Sequence, residues 1–183
     1  RTGDLVGNLK ATLFKGDLNT GNIDGDLELS EKYGNAKVGD YKEGEVVLFK
    51  AKAELGSTQD LEIKANYSDV NLKESKQIEL NAFKSDIEIE GKSTLIEGNF
   101  KYGDLTIDDE VENIDIVTFK SDITALSFGK AELKSSYSDI KVKQIKRLEL
   151  ENVFKTNLTI EKLGEVEGNL KYSPFRVNQL EKG

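Results

Sequence analysis

Cysteine, histidine, methionine and tryptophan are all absent from these 183 residues, and proline occurs once, at Pro174. Without cysteine or histidine the chain has no disulfide, no thiol nucleophile, no imidazole acid or base, and no His or Cys zinc site. Cysteine-free composition leaves the redox compartment open. No apolar run approaches the ~20 residues of a membrane-crossing helix, so no membrane insertion is expected. The 34 acidic residues outnumber 26 basic ones, for a net charge of −8, which makes nucleic acid and anionic membrane poor partners. Charged residues make up 33% of the chain but are interspersed with apolar ones, the pattern of a solvated outer face and not of disorder. With no methionine, Arg1 is not a translated start, and residues 1–183 are expected to be one domain cut from a longer protein.

What is present is a repeat. An aromatic residue, a short polar step and an alternating apolar run recur ten times from Phe14 to Tyr172. Aligned on the step, the series is Asp17, Asn35, Lys52, Asp69, Asp86, Asp104, Asp122, Asp139, Asn157 and Pro174, always 17 or 18 residues apart. Odd copies read Phe-Lys, at Phe14-Lys15, Phe49-Lys50, Phe83-Lys84, Phe119-Lys120 and Phe154-Lys155. Even copies carry Tyr33, Tyr67, Tyr102, Tyr137 and Tyr172. Self-similarity at so short a fixed period is the mark of a solenoid.

Within one copy, Val70-x-Leu72 and Ile78-x-Leu80-x-Ala82 alternate with period two, as half-buried strands do. Each unit therefore holds two short strands and two bends. Parity fails between one unit's second strand and the next unit's first, which places a bend at the Ser-Asp or Gly-Asp step. The predicted fold is all-β: a parallel β-solenoid (β-helix) of about ten short coils, 17–18 residues each, spanning ~50 Å. The general bias of parallel crossovers predicts a right-handed path. The alternative is a 35-residue coil. It would stack the five lysines of the Phe-Lys pairs on one another, whereas the short coil interleaves them with tyrosines in the order Lys15, Tyr33, Lys50, Tyr67, Lys84, Tyr102, Lys120, Tyr137, Lys155, Tyr172. Cation–π contacts would then join successive coils. The phenylalanines, one residue earlier, are expected to point inward. Gly3-Asp4-Leu5 reads as a shortened eleventh step, and Val177-x-x-Leu180 as the start of a coil that stops midway, so both ends are expected to be uncapped.

Two constellations could carry function. The exposed Lys/Tyr ladder, with Tyr33, Tyr67, Tyr102, Tyr137, Tyr172, Lys50, Lys84, Lys120 and Lys155, is a candidate platform for sugar rings; its structural alternative is that stacking holds the coils in register. Asp69, Asp86, Asp104, Asp122 and Asp139 should form a ladder along one edge. That row could bind calcium, or each Asp could accept backbone N–H bonds at its bend, a role that Asn35 and Asn157 could fill equally well. Carboxylate pairs abound, as at Asp108-Asp109-Glu110, but a narrow solenoid with tight bends walls no cleft around them. No catalytic residue and no cofactor is expected.

The segments Phe83-Lys-Ser-Asp-Ile-Glu-Ile, Tyr137-Ser-Asp-Ile-Lys-Val and Glu149-Leu-Glu-Asn-Val-Phe-Lys-Thr-Asn-Leu resemble bacterial adhesin domains of the β-solenoid type, repeats typical of Bacteroidetes envelope proteins. The resemblance covers nearly the whole chain and implies export to the cell surface or periplasm. It supplies no functional residues. The expected function is a non-enzymatic surface or periplasmic solenoid that binds glycan or protein through its repetitive faces. The alternatives are a structural spacer or subunit of a larger envelope assembly, joined end to end, and, third, a carbohydrate-active β-helix enzyme.

Overall fold

The computed structural model of the chain describes residues 3–181. Those residues form strands and turns without a helix, and every strand pairing is parallel to its counterpart 17 or 18 residues away in sequence. This is a β-solenoid of about ten short coils. Its longest strands, Lys52–Asn66, Asp69–Phe83, Asp104–Phe119, Asp122–Ser136, Asp139–Phe154 and Asn157–Lys171, each span most of a coil. Lys84 and Tyr102 occupy the same register position, which settles the short coil over the long one.

The coil Asp69–Ser85 shows how the sequence encodes the path. Val70, Leu72, Ser75, Ile78, Leu80, Ala82 and Ser85 are buried, with outward residues between them. Two consecutive residues point outward at Lys73–Glu74, Lys76–Gln77 and Phe83–Lys84, so the chain changes facing three times per coil, one more than the two bends the sequence predicts. The extra change is hidden because only one inward residue, Ser75, separates two of the corners. Stacked inward positions make continuous columns, such as Val70, Ile87, Leu105, Ile123, Ile140 and Leu158. Each buried aliphatic side chain in such a column contributes about 1.5–3 kcal/mol. Volume is balanced within a coil: a Cβ on Gly44 would lie 2.6 Å from a ring carbon of the buried Tyr41, so the missing side chain makes room for that ring.

The principal corner lies one residue before the Ser-Asp or Gly-Asp step. Lys15, Tyr33, Lys50, Tyr67, Lys84, Tyr102, Lys120, Tyr137, Lys155 and Tyr172 all adopt left-handed backbone, with φ between 47° and 63°. A single left-handed residue reverses parity, while the next residue turns into the core. Ser68, Ser85, Ser121 and Ser138 at that inward position are at most 5% exposed. Each hydroxyl donates to the carbonyl two residues back at 2.9–3.1 Å. The hydroxyls of Ser68, Ser85 and Ser138 also accept the N–H of Ala51, Ser68 and Ser121 in the preceding coil, at 3.0–3.2 Å. These bonds satisfy buried backbone groups that the strand ladder leaves out.

Asp4 belongs to a different corner from the one expected. Leu5 pairs with Ile23, and the Asp4 carboxylate accepts the N–H of Asn22 at 2.9 Å; in turn the Asn22 side chain accepts from Asp40, and the Asp40 carboxylate from Ser57. Gly3-Asp4-Leu5 therefore lies mid-coil, 18 residues before Asn22, and is not an eleventh copy of the Asp17 step.

Candidate functional site

At the left-handed corner the backbone alone aligns the ladder. The N–H of each corner residue from Lys15 to Lys155 donates to the carbonyl that precedes its counterpart in the next coil, as from Lys84 to Lys101 at 2.8 Å and from Tyr102 to Phe119 at 3.0 Å. The phenylalanines do not point inward. Each precedes the left-handed residue on the outward side, and together with the tyrosines they build one column of nine edge-to-face pairs from Phe14 to Tyr172. Ring centroids are 5.3–6.0 Å apart and planes cross at 72–87°. The inward position before each Phe is held instead by a residue such as Ala82 or Leu48, and two outward residues in succession follow from the left-handed turn.

The ammonium groups lie as the interleaved order requires. Lys50, Lys84, Lys120 and Lys155 each sit 5.3–5.8 Å from the ring of the tyrosine one coil earlier, and 5.3–5.6 Å from their own Phe ring. Lys50 also lies 6.0 Å from Tyr67. A non-glycine residue in left-handed backbone costs about 1–2 kcal/mol. Edge-to-face pairs worth ~0.5–1.5 kcal/mol and cation–π contacts worth ~0.5–1 kcal/mol offset that cost, which is why Lys and Tyr can hold a corner where glycine is the usual occupant. Tyr33, Tyr67, Tyr102 and Tyr137 remain 38–45% exposed.

The two outward positions of this corner, read through ten coils, hold Phe14-Lys15, Lys32-Tyr33, Phe49-Lys50, Asn66-Tyr67, Phe83-Lys84, Lys101-Tyr102, Phe119-Lys120, Ser136-Tyr137, Phe154-Lys155 and Lys171-Tyr172. Eight lysines and no carboxylate occupy them. Among the described residues none of these eight forms an ion pair; the ion-paired cations lie elsewhere on the coil, at positions such as Lys37, Lys52, Lys64 and Lys130.

The aspartate ladder also forms. Asp69, Asp86, Asp104, Asp122 and Asp139 are in register on the outer face. Burial, with Asp86 and Asp122 on either side, raises the Asp104 carboxyl above its ordinary range. Lys52 pairs with Asp69 at 2.9 Å. Asp17 and Asp86 each accept the backbone N–H of the next coil at 3.1 Å, while the bend itself is satisfied mainly by the serine hydroxyls. Among the described residues no three acidic side chains converge on a metal-sized site.

A longer acidic column escaped the sequence reading. Glu28, Glu45, Glu62, Glu79, Glu97, Asp115, Glu132, Glu149 and Glu167 stack in register over nine coils, with Lys10 before them. The signal was available as an acidic residue seven positions before each aligned step. At Glu149 the interval is eight, because Asn152 is a left-handed bulge residue where the register shifts. Lys130 hydrogen-bonds Glu132 and holds its carboxyl below the usual range. Arg147 pairs with Glu149 at 3.1 Å, and Lys64 pairs with Glu62.

The sequence matches no protein-family model, no curated protein and no solved structure.

Proposed function

We propose that this solenoid is a non-enzymatic binding domain of the adhesin kind, working at the cell surface or in the periplasm, that takes a glycan or a surface protein along its repetitive Lys/Tyr corner. The observation that carries this reading is the unbroken column of exposed tyrosines and unpaired lysines over ten coils. A rigid parallel rod presents these groups at a fixed repeat, so an elongated ligand meets many weak contacts at once and gains by multivalency. Binding of the purified chain to a broad panel of bacterial and host glycans, with and without millimolar calcium, tests it. The triple substitution Tyr67→Ser, Tyr102→Ser and Tyr137→Ser should lower the affinity while circular dichroism shows the β fold retained. Failure to bind any member of the panel, in either condition, overturns the glycan form of the reading.

A further inference from the structure

The left-handed corner is a basic ridge on an acidic protein. Odd coils place the ammonium on the left-handed residue, as at Lys84 and Lys120, whereas even coils place it one residue earlier, as at Lys101. The lysine therefore alternates between the two outward positions within the runs Lys15-Lys32-Lys50, Lys84-Lys101-Lys120 and Lys155-Lys171. Coils repeat at ~4.8 Å, and only the two coils with Asn66 and Ser136 lack a lysine here.

Two further observations narrow what can lie on this ridge. Edge-to-face packing already engages the aromatic rings with one another along the whole column, and ammonium groups lie over them, so sugar stacking on open ring faces is not the main source of affinity. What the ridge offers is unpaired positive charge. Carboxylates border it on both sides, two residues onward at the aspartate ladder and five residues back at the glutamate column. A polyanion that strays sideways is repelled, which confines it to a line one chain wide.

The geometry points to a linear anionic glycan, of the polyuronate class, lying along the ridge parallel to the rod axis. A glycan chain with a twofold twist turns successive sugars to opposite sides, so its carboxylates alternate as the lysine positions do within each run. This inference rests on the binding-domain reading above and names the ligand class for it. Duplex DNA, with one charge per ~1.7 Å, is far denser in charge than the ridge and too wide to avoid the acidic borders.

The test uses the full chain with hexagalacturonate, its fully methyl-esterified form, neutral cellohexaose and a single-stranded oligothymidylate, measured by calorimetry. The expected result is binding to hexagalacturonate alone, weakened at least about tenfold between ~50 mM and ~300 mM salt. Lys84→Gln, Lys101→Gln and Lys120→Gln together should abolish it, and arginine at the same three positions should restore it, with thermal melts showing each variant folded. Equal binding of the acid and its ester, or binding of cellohexaose only, overturns the charge inference and leaves the glycan-binding reading standing. Binding of oligothymidylate as tightly as the uronate overturns glycan selectivity. No binding to any of the four overturns the inference; the broad glycan panel then decides the reading beneath it separately.

Discussion

Glu31 is a carboxylate in the wrong place for stability, and replacing it should strengthen the fold. Its side chain is fully buried, in an inward column between Leu13 and Leu48, and neither oxygen has a hydrogen-bond partner. The carboxylate fills space beside Gly34, where an added Cβ would come within 2.5 Å of Oε1. Burial raises its pKa, the Asp17 charge adds to the rise, and the Lys32 backbone N–H opposes it. An unsatisfied buried polar group costs about 1–3 kcal/mol, so Glu31→Leu, which extends the leucine stack at similar volume, should stabilise by about that much at pH 7. For a domain of this size each kcal/mol moves Tm by about 2–4 °C. The pH dependence has a fixed sign. A carboxyl whose pKa is raised by folding favours the fold most when protonated, below its unfolded value near ~4.3, and that contribution is lost as pH rises through the folded value. The substituted chain lacks this titration. The stability gap should therefore be smallest near pH 4 and widest near neutrality, with Glu31→Gln intermediate because it removes the charge but keeps an unsatisfied amide. Urea and thermal unfolding of the three proteins from pH 4 to 8 provide the measurement. A Leu variant less stable than the parent at pH 7, or a gap that does not widen with pH, would show that the buried carboxylate does not weaken the fold.

Other substitutions probe the corner and its neighbours. Gly103→Ser should destabilise by about 1–3 kcal/mol in urea unfolding, although Ser85 and Ser121 flank it in the same column, because the new Cβ would stand 2.0 Å from the Ser85 carbonyl oxygen. Asp104→Asn should raise Tm modestly at neutral pH and less at acidic pH, since it removes a carboxyl whose pKa is raised by burial and by Asp86 and Asp122; its amide can bond Asp86 as Asn35 bonds Asp17 at 2.9 Å. Tyr102→Lys stacks lysine at the left-handed position of three consecutive coils and adds a fourth ammonium beside Lys101, so its melting temperature should fall at low salt and recover substantially at high salt. Tyr102→Asn should lose ladder contacts worth about 1–3 kcal/mol at any salt concentration. Tyr41→Phe removes a buried hydroxyl with no partner, and denaturant titration should show a change between zero and a gain of about 1–3 kcal/mol.

Repeat length, strand period and the alternation of Lys with Tyr were all legible in the sequence, because a solenoid is built from near-neighbour coils and its register is written as a period. The placement of Lys84 beside Tyr102 followed from like-charge repulsion alone. The direction of Phe83 did not, since a single left-handed residue decides parity and Lys84 has no local feature that announces positive φ. The aspartate step drew attention by its constancy, yet the serine before it makes the buried bonds. The glutamate column stayed hidden because acidic residues are common everywhere in the chain, and only alignment seven residues upstream separates Glu79 or Glu97 from the rest.

Fold class, the 17 or 18 residue coil and the membership of each column are encoded in the linear order of residues, since period-two alternation and a fixed repeat leave a parallel solenoid as the consistent solution. Which way each column faces, and what it meets, is fixed only when the coils stack. Three changes of facing per coil, a left-handed corner, and glycines at positions such as Gly44 and Gly103 are set by contacts between coils, and those contacts exist only once the coils are stacked. That stacking turns eight lysines dispersed among 34 acidic residues into one ridge free of carboxylates, with acidic columns on either side.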